Sequence, residues 1–254
     1  YVNEPEDSAT LKDSVYVPTK PSLASHTNRA YPGWSLDIRD QVRVEVWLKE
    51  FQQFSRAGTL PALEFVRLPN DHTSGATAGR PTPRAYMADN DLALGRLIEA
   101  LSRSPFWKNT VVFVLEDDAQ DGPDHVDSHR SPLLVISAYN RGKVFHRFAN
   151  TTDVLATIED ILHLGRMSQF DHYGRPLRDI WETTPDLRPY TALTPSVSLN
   201  ELNPKRGAMA QASKALTLKK EDTSDEDLFN RILWTTIKGG KPYPGTKRMS
   251  AFEA

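Results

Sequence analysis

The stretch "NTVVFVLEDDAQDGPDHVDSHRSPLLVISAY", residues 109–139, joins two apolar runs through a strongly acidic segment. Residues 115–132 contain five aspartates, one glutamate and two histidines. The flanking runs "TVVFVL" and "PLLVISAY" are apolar without alternation, which is typical of strands buried on both faces of a parallel sheet. The stretch therefore predicts two central strands, with titratable side chains gathered where the first one ends.

Helical spacing of apolar residues precedes this stretch in two places. The segment "RDQVRVEVWLKEFQQF" repeats valine, leucine and phenylalanine at near-helical intervals, and Gly58 is placed to end the helix. Leucines and one isoleucine repeat in the same way through "ADNDLALGRLIEALSRS", where Asp89 or Asn90 is the expected N-cap. Both segments are predicted to be amphipathic helices.

Strand-like segments alternate with these helices. The run "ALEFVRLP" predicts a short strand between the first two helices, and "NTTDVLATIEDILHL" predicts a helix from about Thr151 or Thr152 to Gly165. This order predicts an α/β fold, a sandwich with a mainly parallel central sheet flanked by helices. A last amphipathic helix is expected at "SDEDLFNRILWTTIKGG".

Composition excludes several classes of protein. The 31 basic and 33 acidic residues give a formal net charge of -2, so no global attraction for nucleic acid is expected. The absence of cysteine excludes disulfides and thiolate metal sites. No apolar run approaches the ~20 residues of a membrane span. The chain opens at Tyr1 without an apolar leader, from which we expect a processed product, periplasmic or secreted, with a cytoplasmic location left open.

Two polar clusters follow predicted strands. "NDHT" comes after "EFVRLP", and "EDDAQDGPDHVDSH" comes after "VVFVL". In open α/β sheets ligands bind beyond the carboxyl ends of the strands, so Asp71, His72, Asp117 and Asp118 are expected to converge. Carboxylates and imidazoles without thiolates suit Zn, Mn, Mg or Ca. Asn and Asp are also ordinary turn residues, so a solvated turn stays an alternative to a metal site.

An ordered series of motifs resembles a known family. "NDHT", "SPFW", "VLEDD", "DHV", "RSPLLVISAY" and "TIEDIL" occur in the order found in phosphoesterases of the alkaline phosphatase superfamily. Within it the chain is similar to the phospholipase C and acid phosphatase branch, and most similar to bacterial phosphoesterase domains fused behind a β-propeller. The resemblance covers about residues 60–204.

The resemblance implies a role for particular residues and cofactors. The metal ligands it implies are Asp71, His72, Asp117, Asp118 and His129, and the residues that line the site are His125, Asn70 and Arg130. It further implies two divalent metal ions (Zn, Mn, Ca or Mg) and a Ser or Thr nucleophile that is transiently phosphorylated.

The family's N-terminal half, which carries that nucleophile, has no counterpart in residues 1–29. We therefore assign no nucleophile and expect this chain to be the C-terminal part of the enzyme, with the N-terminal half as a partner. Residues 1–36 are expected to form an extended lead-in and residues 37–204 the C-terminal part of an alkaline phosphatase-like phosphoesterase domain. Residues 205–254 are expected to be an extension with one amphipathic helix.

The function expected from these features is hydrolysis of phosphoric esters by a metal-dependent enzyme of the phosphatase, phosphodiesterase or phospholipase C type. Its partners would be a phosphate ester substrate and the N-terminal half of the same domain. We expect no nucleic-acid partner and no membrane span. The alternative is a non-catalytic metal-binding or surface-binding module that reuses the fold, because a fold alone does not determine function.

Overall fold

The computed structural model describes residues 2–3, 15–117, 130–220 and 223–244. The strands in the described ranges are Val2–Asn3 (β1), Val17–Pro18 (β2), Val111–Leu115 (β3) and Leu133–Ser137 (β4). The α-helices in the same ranges are Asp40–Ala57 (α1), Pro83–Ser102 (α2), Thr151–Leu162 (α3), Gln169–His172 (α4) and Glu226–Lys238 (α5). Short 3-10 turns lie at Pro21–His26, Pro69–His72, Trp107–Asn109 and Ala212–Ala215.

Helix α1 follows its sequence prediction. Its apolar face buries Val44, Trp47 and Phe51 against α2, with the Trp47 and Phe51 rings stacked at a centroid distance of 4.8 Å. Gly58 ends the helix in the left-handed conformation at φ 71°, which costs glycine no Cβ clash. Each large side chain buried in this way contributes about 1.5–3 kcal/mol.

Helix α2 begins earlier than predicted. Thr82 is its N-cap, with its hydroxyl oxygen accepting a hydrogen bond from the Ala85 N–H at 3.2 Å, and Pro83 occupies the first turn. The prediction that Asp89 or Asn90 caps this helix is therefore wrong. The Thr-Pro pair provides a stronger start signal, because proline presets the helical φ and loses no hydrogen bond there. Asp89 is instead a buried residue inside the helix.

Strands β3 and β4 pair antiparallel, from Val111 opposite Ser137 to Leu115 opposite Leu133. The mixture of helices and strands agrees with an α/β fold, but the mainly parallel sheet is not found in the described residues, where β1 and β2 also pair antiparallel. Apolar composition indicates burial and carries no information on strand direction. The strands are also less buried than predicted, since Leu134 is 50% exposed.

The strand predicted at "ALEFVRLP" is wrong. Residues 62–69 form no strand, and the side chain of Phe65 is 87% exposed. A short apolar run becomes a strand only when a neighbouring strand satisfies its backbone hydrogen bonds, and the described residues provide none here.

Helix α3 begins at Thr151, as predicted, and ends at Leu162. Asn150 is the cap: its side chain accepts from the Asp153 N–H at 3.0 Å, while the Asp153 carboxylate accepts from the Asn150 N–H at 3.2 Å. The helix stops three residues before the predicted Gly165 because His163 takes the left-handed conformation at φ 54°.

The C-terminal residues pack on the loop of residues 73–82. The Asn203 side-chain amide donates to the carbonyls of Gly75, Thr77 and Pro81 at 3.0–3.1 Å. Helix α5, predicted from its amphipathic pattern, is capped by Asp225 and buries Phe229 and Ile232. No helix within the described residues is long and apolar enough to cross a bilayer. The division at residues 36 and 204 stays a prediction.

Gly75→Ala is expected to destabilise the protein more than the same change at Gly142. Both glycines have positive φ, at 57° and 68°, so alanine is strained by about 1–2 kcal/mol at each. At Gly75 the added Cβ would also lie 3.0 Å from Ile232 Cγ2, whereas at Gly142 nothing lies within 4 Å. Denaturant unfolding should give an additional loss of about 1–3 kcal/mol for Gly75→Ala. Equal losses would contradict the packing of α5 on this loop.

Candidate functional site

The Pro69–His72 turn is attached to both long helices through Asn70. The Asn70 N–H donates to Asp40 Oδ2 at 3.0 Å, and its side-chain amide donates to Asp89 Oδ2 at 2.7 Å. The same Asp89 oxygen accepts from the Asp40 N–H at 2.7 Å. All three residues are at most 2% exposed. Asp40 on α1 and Asp89 on α2 therefore hold the turn from two sides.

Arg43 balances the charge of Asp40 in this buried network. Its guanidinium donates to Asp40 Oδ1 at 3.0 Å, and both side chains are fully buried. The remaining guanidinium hydrogens go to backbone carbonyls of Pro32, Gly33, Ser35 and Ile38. Removing one partner of such a pair costs about 3–5 kcal/mol, because the other charge is left buried without compensation.

Thr73, directly after the turn, has an unusual backbone conformation with φ 59° and ψ 174°. A residue other than glycine in this region stores roughly 1–3 kcal/mol of strain. The conformation is held by hydrogen bonds from the Thr73 N–H to the Asn70 carbonyl at 3.1 Å and from the Gly75 N–H to Thr73 Oγ1 at 3.2 Å. Strain maintained in this way points to a functional position.

The imidazole of His72 lies between two aromatic rings. Trp34 meets it edge-on at a centroid distance of 4.9 Å, and Phe229 of α5 lies 5.3 Å away at a tilt of 37°. The His72 Nδ1 atom is 3.4 Å from the Thr73 carbonyl oxygen. When Nδ1 carries the proton and donates to that carbonyl, Nε2 presents its lone pair to a ligand.

Asp71 is half-buried beside His72. Burial raises the pKa of Asp71 above its ordinary value, hydrogen bonds from the backbone N–H groups of His72 and of Asp71 itself oppose the rise, and the like charge of Asp117 adds to it. Asp117 is exposed just beyond β3. The two carboxylates, which are distant in sequence, are therefore near enough to interact electrostatically.

The other predicted site residues are placed as follows. Asn70 is buried in the network described above, and Arg130 is exposed. Asp118, His125 and His129 lie outside the described residues. Within the described ranges, no three carboxylates or imidazoles are grouped so as to hold a metal ion. The ligand set thus stays a prediction, of which Asp71, His72 and Asp117 are described.

Three further residues help to position the turn but were not predicted from the sequence: Asp40, Arg43 and Trp34. An acidic and a basic residue spaced i,i+3 at a helix start, as in "DQVR", look like a solvated pair. Their burial depends on packing by residues 32–38, which local patterns do not report.

A cavity of about 190 Å³ borders the network. Its described lining includes Asn70, Asp89, Arg39 and Arg80 but not Asp71 or His72. The candidate ligands therefore lie apart from this cavity.

The ionisation of Asp40 should make stability fall as pH rises. Burial raises the pKa of Asp40 to about 6, against the lowering by Arg43. The folded protein therefore holds a proton that the unfolded chain releases near pH 3.8, so this stabilisation is complete below pH 3.8 and is lost as pH rises through about 6. Between these two pH values, this group should lower the free energy of unfolding by about 2–3 kcal/mol.

Denaturant unfolding of the wild type and of Asp40→Asn at several pH values measures this contribution. The wild type should lose stability relative to Asp40→Asn as the pH rises from 4 to 6. A difference that is constant over this range would contradict the assignment to Asp40.

Comparison with known proteins gives one family. Residues 13–165, more than half of the 254, match the model of the Phosphoesterase family. The matched range includes the Pro69–His72 turn, both long helices, β3 and β4. No match was found among curated proteins.

Proposed function

Because the chain belongs to the Phosphoesterase family, we propose that it acts in the metal-dependent hydrolysis of phosphoric esters. Family membership indicates hydrolysis of phosphate esters in general. The finer parts of the proposal are metal dependence, a two-metal site and placement in the phospholipase C and acid phosphatase branch of the alkaline phosphatase superfamily. The metal ligands proposed are Asp71, His72, Asp117, Asp118 and His129.

The observation that carries the proposal is the approach of Asp71 and Asp117. Burial and the like charge of Asp117 both raise the pKa of Asp71 and so disfavour its charged form. A divalent ion would reverse both unfavourable effects. The neighbouring imidazole of His72 supplies a nitrogen ligand, and such oxygen and nitrogen donors fit Zn or Mn, with Mg and Ca also accepted by the carboxylates.

The protein's own contribution is to hold these donors in place. Two backbone N–H groups orient the Asp71 carboxylate, and Nδ1 of His72 lies 3.4 Å from the Thr73 carbonyl oxygen. With the proton on Nδ1, Nε2 would be able to bind a metal ion. The buried network behind Asn70 keeps the turn from relaxing. Divalent ions in such a site polarise phosphate oxygens and offset the negative charge that develops during phosphoryl transfer.

The nucleophile is not assigned. The resemblance implies that a Ser or Thr nucleophile and the remaining metal ligands lie in an N-terminal half of the domain. We propose that this half is the partner required for turnover. Export to the periplasm or the medium likewise stays a prediction.

Metal binding tests the proposal directly. Calorimetric titration with Zn, Mn, Mg or Ca is expected to show binding of at least one ion, weakened tenfold or more in His72→Ala and in Asp117→Ala. Asp91→Ala, an exposed carboxylate on α2, is the matched control and should bind as the wild type does. Absence of binding by the wild type, or an equal loss in the control, would contradict the proposed ligands.

Vanadate then separates a hydrolase from a metal-binding module. The phosphate analogue should raise the melting temperature only when the divalent ion is bound, because it would complete the ion's coordination. A metal-bound chain that does not respond to vanadate would instead be a non-catalytic metal-binding module.

A further inference from the structure

Helix α5 lies outside the residues matched by the family, yet it contacts the candidate site. Its Phe229 side chain is 2% exposed and its ring lies 5.3 Å from the ring of His72. One turn along the helix, Ile232 is fully buried against the Gly75 backbone. The residues after position 165 therefore form one wall of the site rather than a separate appendage.

We propose that α5 is a positioning element of the candidate metal centre and that it acts on His72 through Phe229. The proposal deepens and rests on the function proposed above. Phe229 touches neither substrate nor metal in this view; it fixes the plane in which the imidazole lies.

The physical reason is the rotational freedom of a histidine ring. The contact that fixes it through hydrogen bonding, Nδ1 to the Thr73 carbonyl, is long at 3.4 Å. Orientation therefore depends on the two aromatic walls, Trp34 on one side and Phe229 on another. Loss of an outer partner of a metal-binding histidine typically costs 10–100-fold in metal affinity.

Both walls are attached to C-terminal residues. The Trp34 Nε1–H donates to the Leu218 carbonyl at 3.2 Å, and the Ser213 hydroxyl oxygen accepts from the Ala76 N–H at 3.0 Å. Leu218 also packs with Trp34 and Tyr86. Residues 213–232 thus hold both sides of the imidazole, although they are more than 140 positions from it in sequence.

The test compares Phe229→Ala and Phe229→Leu with Ile237→Ala, a residue of the same helix that is 54% exposed. Two quantities are measured on the full chain: zinc affinity by calorimetry, and the NMR shift of the His72 ring protons in metal-free protein. Phe229→Ala should weaken zinc binding about tenfold. Both Phe229 variants lose the same ring current, so a difference between their His72 resonances reports a change in the orientation of the imidazole. Phe229→Leu, which keeps most of the side-chain volume, should lose less affinity, and Ile237→Ala should change neither quantity.

The outcomes separate this inference from the proposed function. Unchanged affinity in a folded Phe229→Ala protein, with His72 resonances equal to those of Phe229→Leu, would overturn the positioning role. If the wild type binds no zinc, the proposed metal centre fails, and the difference between the His72 resonances of the two Phe229 variants then decides whether Phe229 orients the ring. If Phe229→Ala does not fold, Phe229→Leu decides by zinc affinity, and a wild-type affinity overturns the role.

Discussion

The buried hydrogen bonds that join Asp40, Asn70 and Asp89 are the constraint on which the rest of the site depends. They bring the first turn of α1, the middle of α2 and the Pro69–His72 turn to one point, with Arg43 offsetting one of the two carboxylates. Asn70 Oδ1 and Asp89 Oδ1 are buried without a hydrogen-bond partner among the described residues. Any other placement of the turn would leave further buried polar groups unpaired, so the remaining bonds favour this one. Asp71 and His72, which follow Asn70 directly, are therefore held in a fixed position.

The candidate site has a rigid side, formed by Asp71, His72 and their neighbours, and an exposed side, formed by Asp117. On the rigid side, the strained Thr73 backbone and the two aromatic rings restrict His72, while backbone N–H groups hold the Asp71 carboxylate. On the exposed side, Asp117 lies just beyond β3. Donors that bind a metal ion need support from the residues behind them, and the rigid side provides this support for Asp71 and His72.

Local signals predicted much of the secondary structure. The end of α1 at Gly58, the start of α3 at Thr151 and the presence of α5 follow from periodicity and capping, which operate within a few residues. The predicted start of α2 and the strand at residues 62–69 were wrong, and the described residues show no parallel sheet. Strand pairing depends on partners distant in sequence, which local patterns do not report. Convergence of "NDHT" and "EDD" was expected from parallel strand ends. Asp71 is near enough to Asp117 for their charges to interact, but the turn that carries Asp71 follows no described strand. The turn is held instead by the buried carboxylates of Asp40 and Asp89 and contacts Phe229 of α5.

The central claim is that the proposed ligands, of which Asp71, His72 and Asp117 lie within the described residues, bind divalent metal ions. Diffraction from crystals grown with zinc, recorded above and below the zinc absorption edge, tests it most directly. We expect an anomalous peak about 2.0–2.2 Å from Nε2 of His72 or from a carboxylate oxygen of Asp71 or Asp117. A crystal with no peak at any of these three side chains would contradict it.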